Sequence, residues 1–427
     1  MLALTLLASS SSSAAATDPF MEAATVPTRG AAGWEHFVID GRDYLSVANF
    51  FTSSPKHQPR MQTESVVYSA SADPRSGKLA LTELQRFPTV GAHGVVHCES
   101  AGHHYLAVPN YYGGDTVVLR WDGTVGKFTK LQTIESDGGG SIEAFRLNGR
   151  QMLAIAEFNV GVAALYVLQS TSTSAQELFI PWQRVKSPGC GSIAALNVTN
   201  QDGTVQPLLL AASYVTRETG WHTRSPIFAL NGAGAAFEPH SAVATIGAHD
   251  VAVYSVAGRH FAFYSNDKDE RSTKQPSELF EWIGGFPGGK LESRQTVQTD
   301  GAHAAEFFAS ADGNAHYLAV ANLGDRHANT YRRDSVIFSF DPDAPKAKML
   351  TALQRVATRG ATDFRAFVIG GMTFVAVSNE QDDTGGGDIG STIWVLRREV
   401  GKDVDDLVVK TSGGYVFKDE AVDVCDD

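Results

Sequence analysis

Residues 89–112 read TVGAHGVVHCESAGHHYLAVPNYY, and the first five letters return twice, as TIGAH at 245–249 and TDGAH at 299–303. Looser copies begin at residues 28, 136, 187 and 358, and a glutamine stands four positions before five of these seven marks. Each of these seven copies contains a glycine at its third position, and successive glycines are separated by 47 residues (Gly91 to Gly138) to 61 residues (Gly30 to Gly91). We call these the anchor glycines: Gly30, Gly91, Gly138, Gly189, Gly247, Gly301 and Gly360. A weaker mark at Gly413 is in line with them, so eight marks delimit seven repeated units.

The interior of each unit predicts four short β-strands. Seven positions after each anchor glycine stands a core-type residue, such as Phe37 or Phe308. Runs such as YLSVAN (44–49) mark a second strand, runs such as SVVY (65–68) a third, and a fourth leads into the next anchor glycine. Short β-branched and aromatic runs punctuated by Gly, Asn and Asp are typical of strands. A unit of this kind needs neighbours to bury both faces, so the chain predicts an all-β fold, a seven-bladed β-propeller with four antiparallel strands per blade, over residues 24–413.

Both ends of the chain match the fourth-strand pattern, in AATVPT (23–28) and DLVVKT (406–411). Only one outer position remains in the seventh blade. We expect the N-terminal segment to fill it, so that one blade combines strands from both ends of the chain. The C-terminal segment is the alternative.

Composition excludes several classes of partner. The 427 residues carry a formal net charge of −12 and only 19% charged residues, whereas nucleic acids and anionic membranes are bound through clustered Lys and Arg. No apolar run after the N-terminus approaches the ~18 residues that span a bilayer. We therefore expect no nucleic-acid partner and no insertion into a membrane. We also expect the chain to be a monomer.

The chain ends differ from the repeats. An apolar run at 2–8 followed by Ala14-Ala15-Ala16 resembles a secretory signal over residues 1–16, which predicts a secreted, extracellular chain; a Ser/Ala-rich leader is the alternative. Residues 414–427 form an acidic C-terminal tail. The three cysteines, Cys98, Cys190 and Cys425, contain no C-x-x-C pair and leave open one disulfide or none.

The histidines of the opening stretch have two interpretations. His93 occupies the same repeat position as His249 and His303, which favours a turn residue bonded to a neighbouring blade. A metal site would require all three to converge. Because they belong to units 2, 5 and 6, only two of them are in neighbouring blades, and we favour the structural interpretation.

The units resemble the EAR repeat, also called the EPTP or epitempin repeat. Unit 1 shows the pattern in GAAGWEHFVIDGRDYLSVAN followed by SVVY, and unit 6 in YLAVAN followed by SVIF. In that family the propeller is an extracellular recognition module for other proteins. The resemblance therefore implies a binding module for a cell-surface or extracellular protein or glycan.

Binding is expected on the face where the inter-unit turns and the loops between second and third strands meet. These loops are long in five units and short in units 2 and 3, which predicts an uneven face. Aromatic and Arg side chains dominate interfaces, so we take Trp221, Tyr214, Tyr331 and Arg332 as exposed contact candidates.

Two aspartates, Asp250 and Asp363, follow their anchor glycines by three positions, and Glu35, Glu143 and Glu306 follow theirs by five. Equivalent positions in a ring converge on its axis, so Asp250 and Asp363 are expected to help hold Ca²⁺ in the central channel. Alternatively, these carboxylates accept hydrogen bonds from backbone amides of adjacent turns. A propeller-fold hydrolase or lyase with a site at the channel mouth is the second functional class, although no G-x-S-x-G, H-E-x-x-H or P-loop motif is present and no catalytic residue is assigned.

Overall fold

A computed structural model of the chain describes residues 18–53, 60–171, 174–326, 328–397, 408–411 and 414–417. The expected signal segment (1–16), the mark at Gly413, Cys425 and residues 418–427 of the acidic tail lie outside these ranges. The described part contains thirty strands and no helix, and twenty-eight of the strands form seven four-stranded antiparallel sheets. The all-β, seven-bladed propeller is confirmed.

The first strand, β1 (Phe20–Pro27), precedes the first complete blade. Blade 1 contains β2 (Ala31–Ile39), β3 (Arg42–Asn49), β4 (Gln62–Ala72) and β5 (Leu79–Val90). Blade 2 contains β6 (Val96–Ser100), β7 (His103–Asn110), β8 (Asp115–Asp122) and β9 (Lys127–Glu135). Blade 3 contains β10 (Gly139–Leu147), β11 (Arg150–Glu157), β12 (Val162–Thr171) and β13 (Ser174–Lys186). Blade 4 contains β14 (Cys190–Thr199), β15 (Val205–Ser213), β16 (His222–Leu230) and β17 (Phe237–Ile246).

Blade 5 contains β18 (Ala248–Val256), β19 (Arg259–Asn266), β20 (Pro276–Ile283) and β21 (Lys290–Gln298). Blade 6 contains β22 (Ala302–Ala309), β23 (His316–Asn322), β24 (Arg332–Phe340) and β25 (Leu350–Arg359). Blade 7 contains β26 (Ala361–Ile369), β27 (Met372–Asn379) and β28 (Gly390–Leu396), with β1 as its outer strand. A separate two-stranded sheet follows, of β29 (Val408–Thr411) and β30 (Gly414–Phe417).

The ring is closed by the N-terminal segment, as expected. Strand β1 pairs antiparallel with β28, from Phe20 opposite Leu396 to Pro27 opposite Gly390. Within the part of the chain that the structure describes, residues 408–411 of the competing C-terminal segment pair with 414–417 and not with blade 7.

The apolar core is divided among the contacts between blades. Seven buried clusters occur, and each joins residues of two neighbouring blades. Trp34 of blade 1 and Phe374 of blade 7 share the cluster that completes the ring. Among the residues seven positions after an anchor glycine, Phe37, Phe308 and Phe367 are buried, whereas Phe145 is only half-buried because it lines a small groove with Cys98 and Arg146. Each sheet is therefore stabilised by its neighbours, as ring closure requires.

The repeated glutamine forms a bridge between blades. In five blades a fourth-strand Gln donates its amide to the backbone carbonyl of a residue in the outer strand of the next blade, and its Oε1 accepts from that residue's N–H, at 2.7–3.0 Å. These glutamine bridges join Gln85 to Phe128, Gln132 to Phe179, Gln183 to Phe237, Gln295 to Leu350, and Gln354 to Phe20. They satisfy backbone groups that an outer strand would otherwise leave unpaired.

The anchor glycines lie where successive blades connect. All seven have a positive φ, between 54° and 70°. At Gly301 a Cβ atom would lie 2.7 Å from the carbonyl oxygen of Gly324, so only glycine fits. Each anchor carbonyl accepts a hydrogen bond, at 2.7–3.0 Å, from the N–H of the residue after the second strand of its own blade. The inter-blade turns and the loops between second and third strands therefore share one face, which we call the mouth face.

Candidate functional site in the central channel

The innermost strands of the seven blades line a central cavity of about 300 Å³. In six blades the register between the first two strands shifts at the second residue after the anchor glycine. Such a β-bulge leaves one residue without a cross-strand partner and changes the direction of its side chain. We call these residues the axial positions, and all seven line the cavity: Ala32, His93, Gly140, Gly191, His249, His303 and Thr362.

Three imidazoles meet at the axial positions. The ring centroids of His249 and His303 are 3.6 Å apart, and that of His93 is 5.9 Å from the first and 5.8 Å from the second. The expectation that blades 2, 5 and 6 are too far apart for convergence is wrong, because every axial position faces the same axis. The small residues Ala32, Gly140 and Gly191 leave the space that the three rings occupy.

The histidines are also bonded to neighbouring blades, as the structural interpretation expects. Nδ1 of His93 bonds the carbonyl oxygen of Gly140 at 2.6 Å, and Nδ1 of His303 bonds that of Thr362 at 2.8 Å. In both pairs the acceptor is the axial residue of the next blade. Burial lowers the pKa of His93 to about 4, and it lowers the pKa of His249 and His303 well below the usual value, so all three are neutral at pH 7.

The other histidines of the opening stretch do not reach the channel. Nε2 of His97 lies 3.1 Å from Nδ1 of His104, and the two rings stack. His103 is exposed and contacts Arg120. Cys98 and Cys190 are buried free thiols.

Four carboxyl groups and one arginine line the same cavity, and a fifth carboxyl group, that of Glu35, lies beside this arginine. Arg365 pairs with Glu35 at 2.8 Å and with Glu306 at 3.6 Å. Burial raises the pKa of Glu143 and of Glu306 to about 7 each, although the Arg365 charge opposes the shift. The remaining two carboxyl groups are those of Asp250 and Asp363.

The two aspartates expected to hold Ca²⁺ are engaged with adjacent blades. Asp250 accepts from the Ser192 hydroxyl at 2.6 Å through Oδ1 and from the Ala305 N–H at 3.1 Å through Oδ2. Oδ2 of Asp363 accepts from the Trp34 N–H at 3.3 Å. These are the backbone contacts that the alternative interpretation anticipates. Calcium binding by this pair stays a prediction.

The mouth of the channel is bordered by the residues that follow the second strands. Blades 1–4 place aromatic residues there (Phe50, Tyr111, Phe158, Tyr214), and blades 5 and 7 place buried carboxylates (Asp267, Glu380). Arg326, from the loop of blade 6, pairs with Glu380 at 3.3 Å. The aromatic half of the mouth contacts the histidines, since Tyr214 meets the His249 ring edge-on at 5.0 Å between centroids. The mouth therefore has an aromatic side and a charged side.

Aromatic contacts extend along the first side. The Tyr112 ring lies 5.5 Å from Phe50 and 5.1 Å from Tyr111, and Tyr214 lies 6.2 Å from Phe158 and 4.8 Å from Trp221. We call this set the aromatic arc: Phe50, Tyr111, Tyr112, Phe158, Tyr214 and Trp221. Its central part lies over blades 2 and 3, where the loops 111–114 and 158–161 are shorter than those of the other blades. Tyr112 and Val160 are exposed there, at 57% and 48%.

The four expected contact residues separate into two pairs. Tyr214 and Trp221 belong to the aromatic arc and are half-buried, with the Lys268 ammonium 4.7 Å from the Trp221 ring. Arg332 is exposed and lies 3.6 Å from Asp383. Tyr331 is buried at 4% exposure, so its expected exposure is wrong: its N–H is held by Asp383, and its ring packs 3.4 Å from the Cβ position of Gly360.

Sequence reasoning missed Arg365 and the convergence of the histidines. Arg365 follows Gly360 by five positions, as Glu35, Glu143 and Glu306 follow their anchor glycines. The signal was therefore present in the repeat register, and comparing all seven units position by position would have found it.

Comparison with known proteins agrees with the repeat. A family model described as the EPTP domain matches residues 20–69. The chain is 26% identical over 277 residues to the human thrombospondin-type laminin G domain and EAR repeat-containing protein, a match that covers 62% of this chain and 40% of that protein. It is 28% identical over 109 residues to leucine-rich repeat LGI family member 3 of Macaca fascicularis, covering 24% of this chain and 20% of that protein. The matched stretches thus span well under two thirds of these relatives.

Among solved structures, the Pseudomonas aeruginosa periplasmic gluconolactonase PpgL superposes with a TM-score of 0.52 over 83% of this chain and 99% of that one. At 18% identity this likeness concerns the fold alone. Within the described ranges, no helix has the length and apolar character needed to cross a membrane. The family model over residues 20–69, the EAR-repeat and LGI relatives and the seven-bladed ring together confirm the resemblance of this β-propeller to EAR/EPTP-repeat proteins.

Proposed function

We propose that this propeller is an extracellular recognition module that binds a protein partner through its mouth face. The observation that carries the proposal is the aromatic arc, in which two groups of contacting, partly exposed rings come from four successive blades. Two relatives support a binding role in general terms. The name of one combines a laminin G domain with EAR repeats, and the other is named as a leucine-rich repeat member of the LGI family.

The shape of the mouth face favours a protruding element of the partner. The loops 111–114 and 158–161 of blades 2 and 3 have fewer residues than 50–61 of blade 1 and 214–221 of blade 4, which favours a low sector over blades 2 and 3. Within that sector two large hydrophobic side chains, Tyr112 and Val160, are exposed next to the polar Asn159. Buried aromatic anchors supply most of the binding free energy at interfaces. The low sector therefore suits an inserted loop that carries an apolar or arginine side chain, which stacks well on aromatic faces.

The experiment measures saturable binding of the labelled, secreted chain to the surface of cultured cells. Replacing Tyr112 and Phe158 by Ala should weaken binding at least about tenfold, because a hot-spot residue contributes about 2 kcal/mol or more. Val38→Ala and Val205→Ala are the matched controls. Both side chains are exposed, at 47% and 56%, and lie in or beside the hairpins between first and second strands, at the opposite end of the blades. The controls should bind like the wild type.

Enzymatic pretreatment of the cells decides the class of partner. Loss of binding after protease treatment and retention after glycosidase treatment support a protein partner, whereas the reverse result indicates a glycan. Equal binding by the arc variant and the wild type would contradict the proposed surface. Turnover of lactones or glycans by the wild-type chain, without saturable binding to cells, would instead favour the hydrolase or lyase alternative.

A further inference from the structure

We propose that His93, His249 and His303 form a binding site for a divalent transition metal, with Zn²⁺ as the best match, on the axis of the propeller. Among the described residues these three form a group whose candidate ligand atoms all lie within 4.8 Å of one another. Tetrahedral Zn²⁺ with Zn–N bonds of about 2.0–2.1 Å requires nitrogen separations of about 3.3 Å. Metal binding therefore requires the rings to rotate so that their nitrogens approach that spacing.

The imidazole rings are oriented like those of histidine metal ligands, in which one ring nitrogen is hydrogen-bonded to a neighbouring group and the other is left to bind the metal. When Nδ1–H donates to a backbone carbonyl, the tautomer is fixed and Nε2 keeps its lone pair. His93 and His303 both bond a carbonyl of the next blade through Nδ1. The ring of His249 also interacts with the backbone of His303, the axial residue of the next blade. Hydrogen bonds to the next blade therefore orient at least two of the three imidazoles at the axis.

An unpartnered nitrogen points independently to a ligand. His303 is 3% exposed, and its Nε2 has no hydrogen-bond partner. A buried polar atom without a partner is costly and rare in native proteins. A metal ion bonded to this lone pair removes the cost.

The donor set selects the class of metal. Ca²⁺ and Mg²⁺ prefer oxygen ligands, whereas imidazole nitrogen suits Zn²⁺ and its neighbours in the first transition row. Three protein nitrogens leave one position of a tetrahedron open, and the cavity that the histidines line provides space for a water there. The charge of Arg326 near the histidines opposes cation binding, but Arg326 is paired with Glu380.

The test uses the full chain freed of metal and titrated with Zn²⁺ against a chromophoric chelator. The wild type should bind one Zn²⁺ at the axis. His249→Ala and His303→Ala should each weaken this binding by more than the ~10–100-fold that changes of outer-shell partners cause. His103→Ala, at an exposed histidine outside the channel, is the matched control and should leave the affinity unchanged.

Titration of a variant at a second histidine and a Co²⁺ spectrum of the wild type provide two further tests of the axial site. A second group outside the channel, formed by His222, Asp269 and Glu270, could also bind metal, so His222→Ala is titrated in parallel. If His222→Ala abolishes tight binding while His249→Ala does not, the axial site is refuted. Should the axial variants fail to fold, Co²⁺ is added to the wild type: the intense visible bands of tetrahedral Co²⁺ support the proposal, and a weak octahedral spectrum overturns it.

Discussion

The glutamine bridge between blades 2 and 3 offers the sharpest test of what holds the ring together. Gln132 donates to the Phe179 carbonyl at 2.8 Å and accepts from the Phe179 N–H at 3.0 Å. Gln132→Leu keeps most of the side-chain volume and removes both hydrogen bonds. The backbone groups of Phe179 are then left at a partly buried edge, where water can reach them only in part.

The expected cost follows from those two bonds. A net contribution of about 1 kcal/mol each, with a further penalty for incomplete solvation, gives a loss of about 2–3 kcal/mol in the free energy of unfolding. An unfolding entropy of about 2.1 cal/mol/K per residue gives roughly 0.8 kcal/mol/K for a ring of this size, so Tm should fall by about 3 °C.

Denaturant unfolding followed by tryptophan fluorescence measures this difference. Gln201→Leu, at an exposed turn, is the matched control and should unfold like the wild type. If Gln132→Leu and Gln201→Leu are equally stable, the bridges do not stabilise the ring, and the repeated glutamine needs another explanation.

Three other changes test the core and the channel. Phe37→Ala should cost about 3–5 kcal/mol, and Phe145→Ala clearly less because its ring is half-buried; equal losses of stability would contradict the burial described above. Burial raises the pKa of Asp363 to about 8 from its ordinary value of 3.8, so the folded state holds the proton to higher pH than the unfolded state does. The wild type should therefore lose stability relative to Asp363→Asn as pH rises from about 4 to 8, and a difference independent of pH would refute this shift. If Asp250 and Asp363 hold Ca²⁺, the ion at a hundredfold excess over Kd should raise stability by about 2.7 kcal/mol, and a melt of the Asp250→Asn/Asp363→Asn variant should show no such gain; equal shifts in both proteins would exclude these two aspartates as ligands.

Most of the fold could be predicted because residue types that recur in the repeat make the same kind of contact in successive blades. The glycine is repeated because its Cβ position is filled by the adjacent loop, and the glutamine because it bridges to the next blade. The threonine two positions before the glycine, Thr89 in the opening stretch, bonds the buried Ser65 hydroxyl of its own blade at 3.0 Å. The sequence does not identify these contacts, but the regular spacing of the residues was sufficient to count the blades. It left both ends of the chain as candidates for the closing strand.

The site was harder to predict, because it depends on how the units are arranged around the axis. Judged by order along the chain, His93 is remote from His249 and His303, yet a closed ring brings all axial positions together. The burial of Tyr331 depends on Asp383, which lies 52 residues further along the chain in the next blade. Burial of this kind is set by tertiary contacts, and the local pattern around Tyr331 carries no sign of it.

Closure by β1 has a consequence for biosynthesis. This strand is made first, but its partner β28 follows 363 residues later, counted from Pro27 to Gly390. At about 5–20 residues per second on the ribosome, β1 must wait roughly 20–70 s for a partner. Throughout that time it presents an unpaired strand that the edges of other unfinished blades, or of a second nascent chain, can capture. The seventh blade is thus the step at which a cell making this propeller most needs a chaperone to cover an exposed strand.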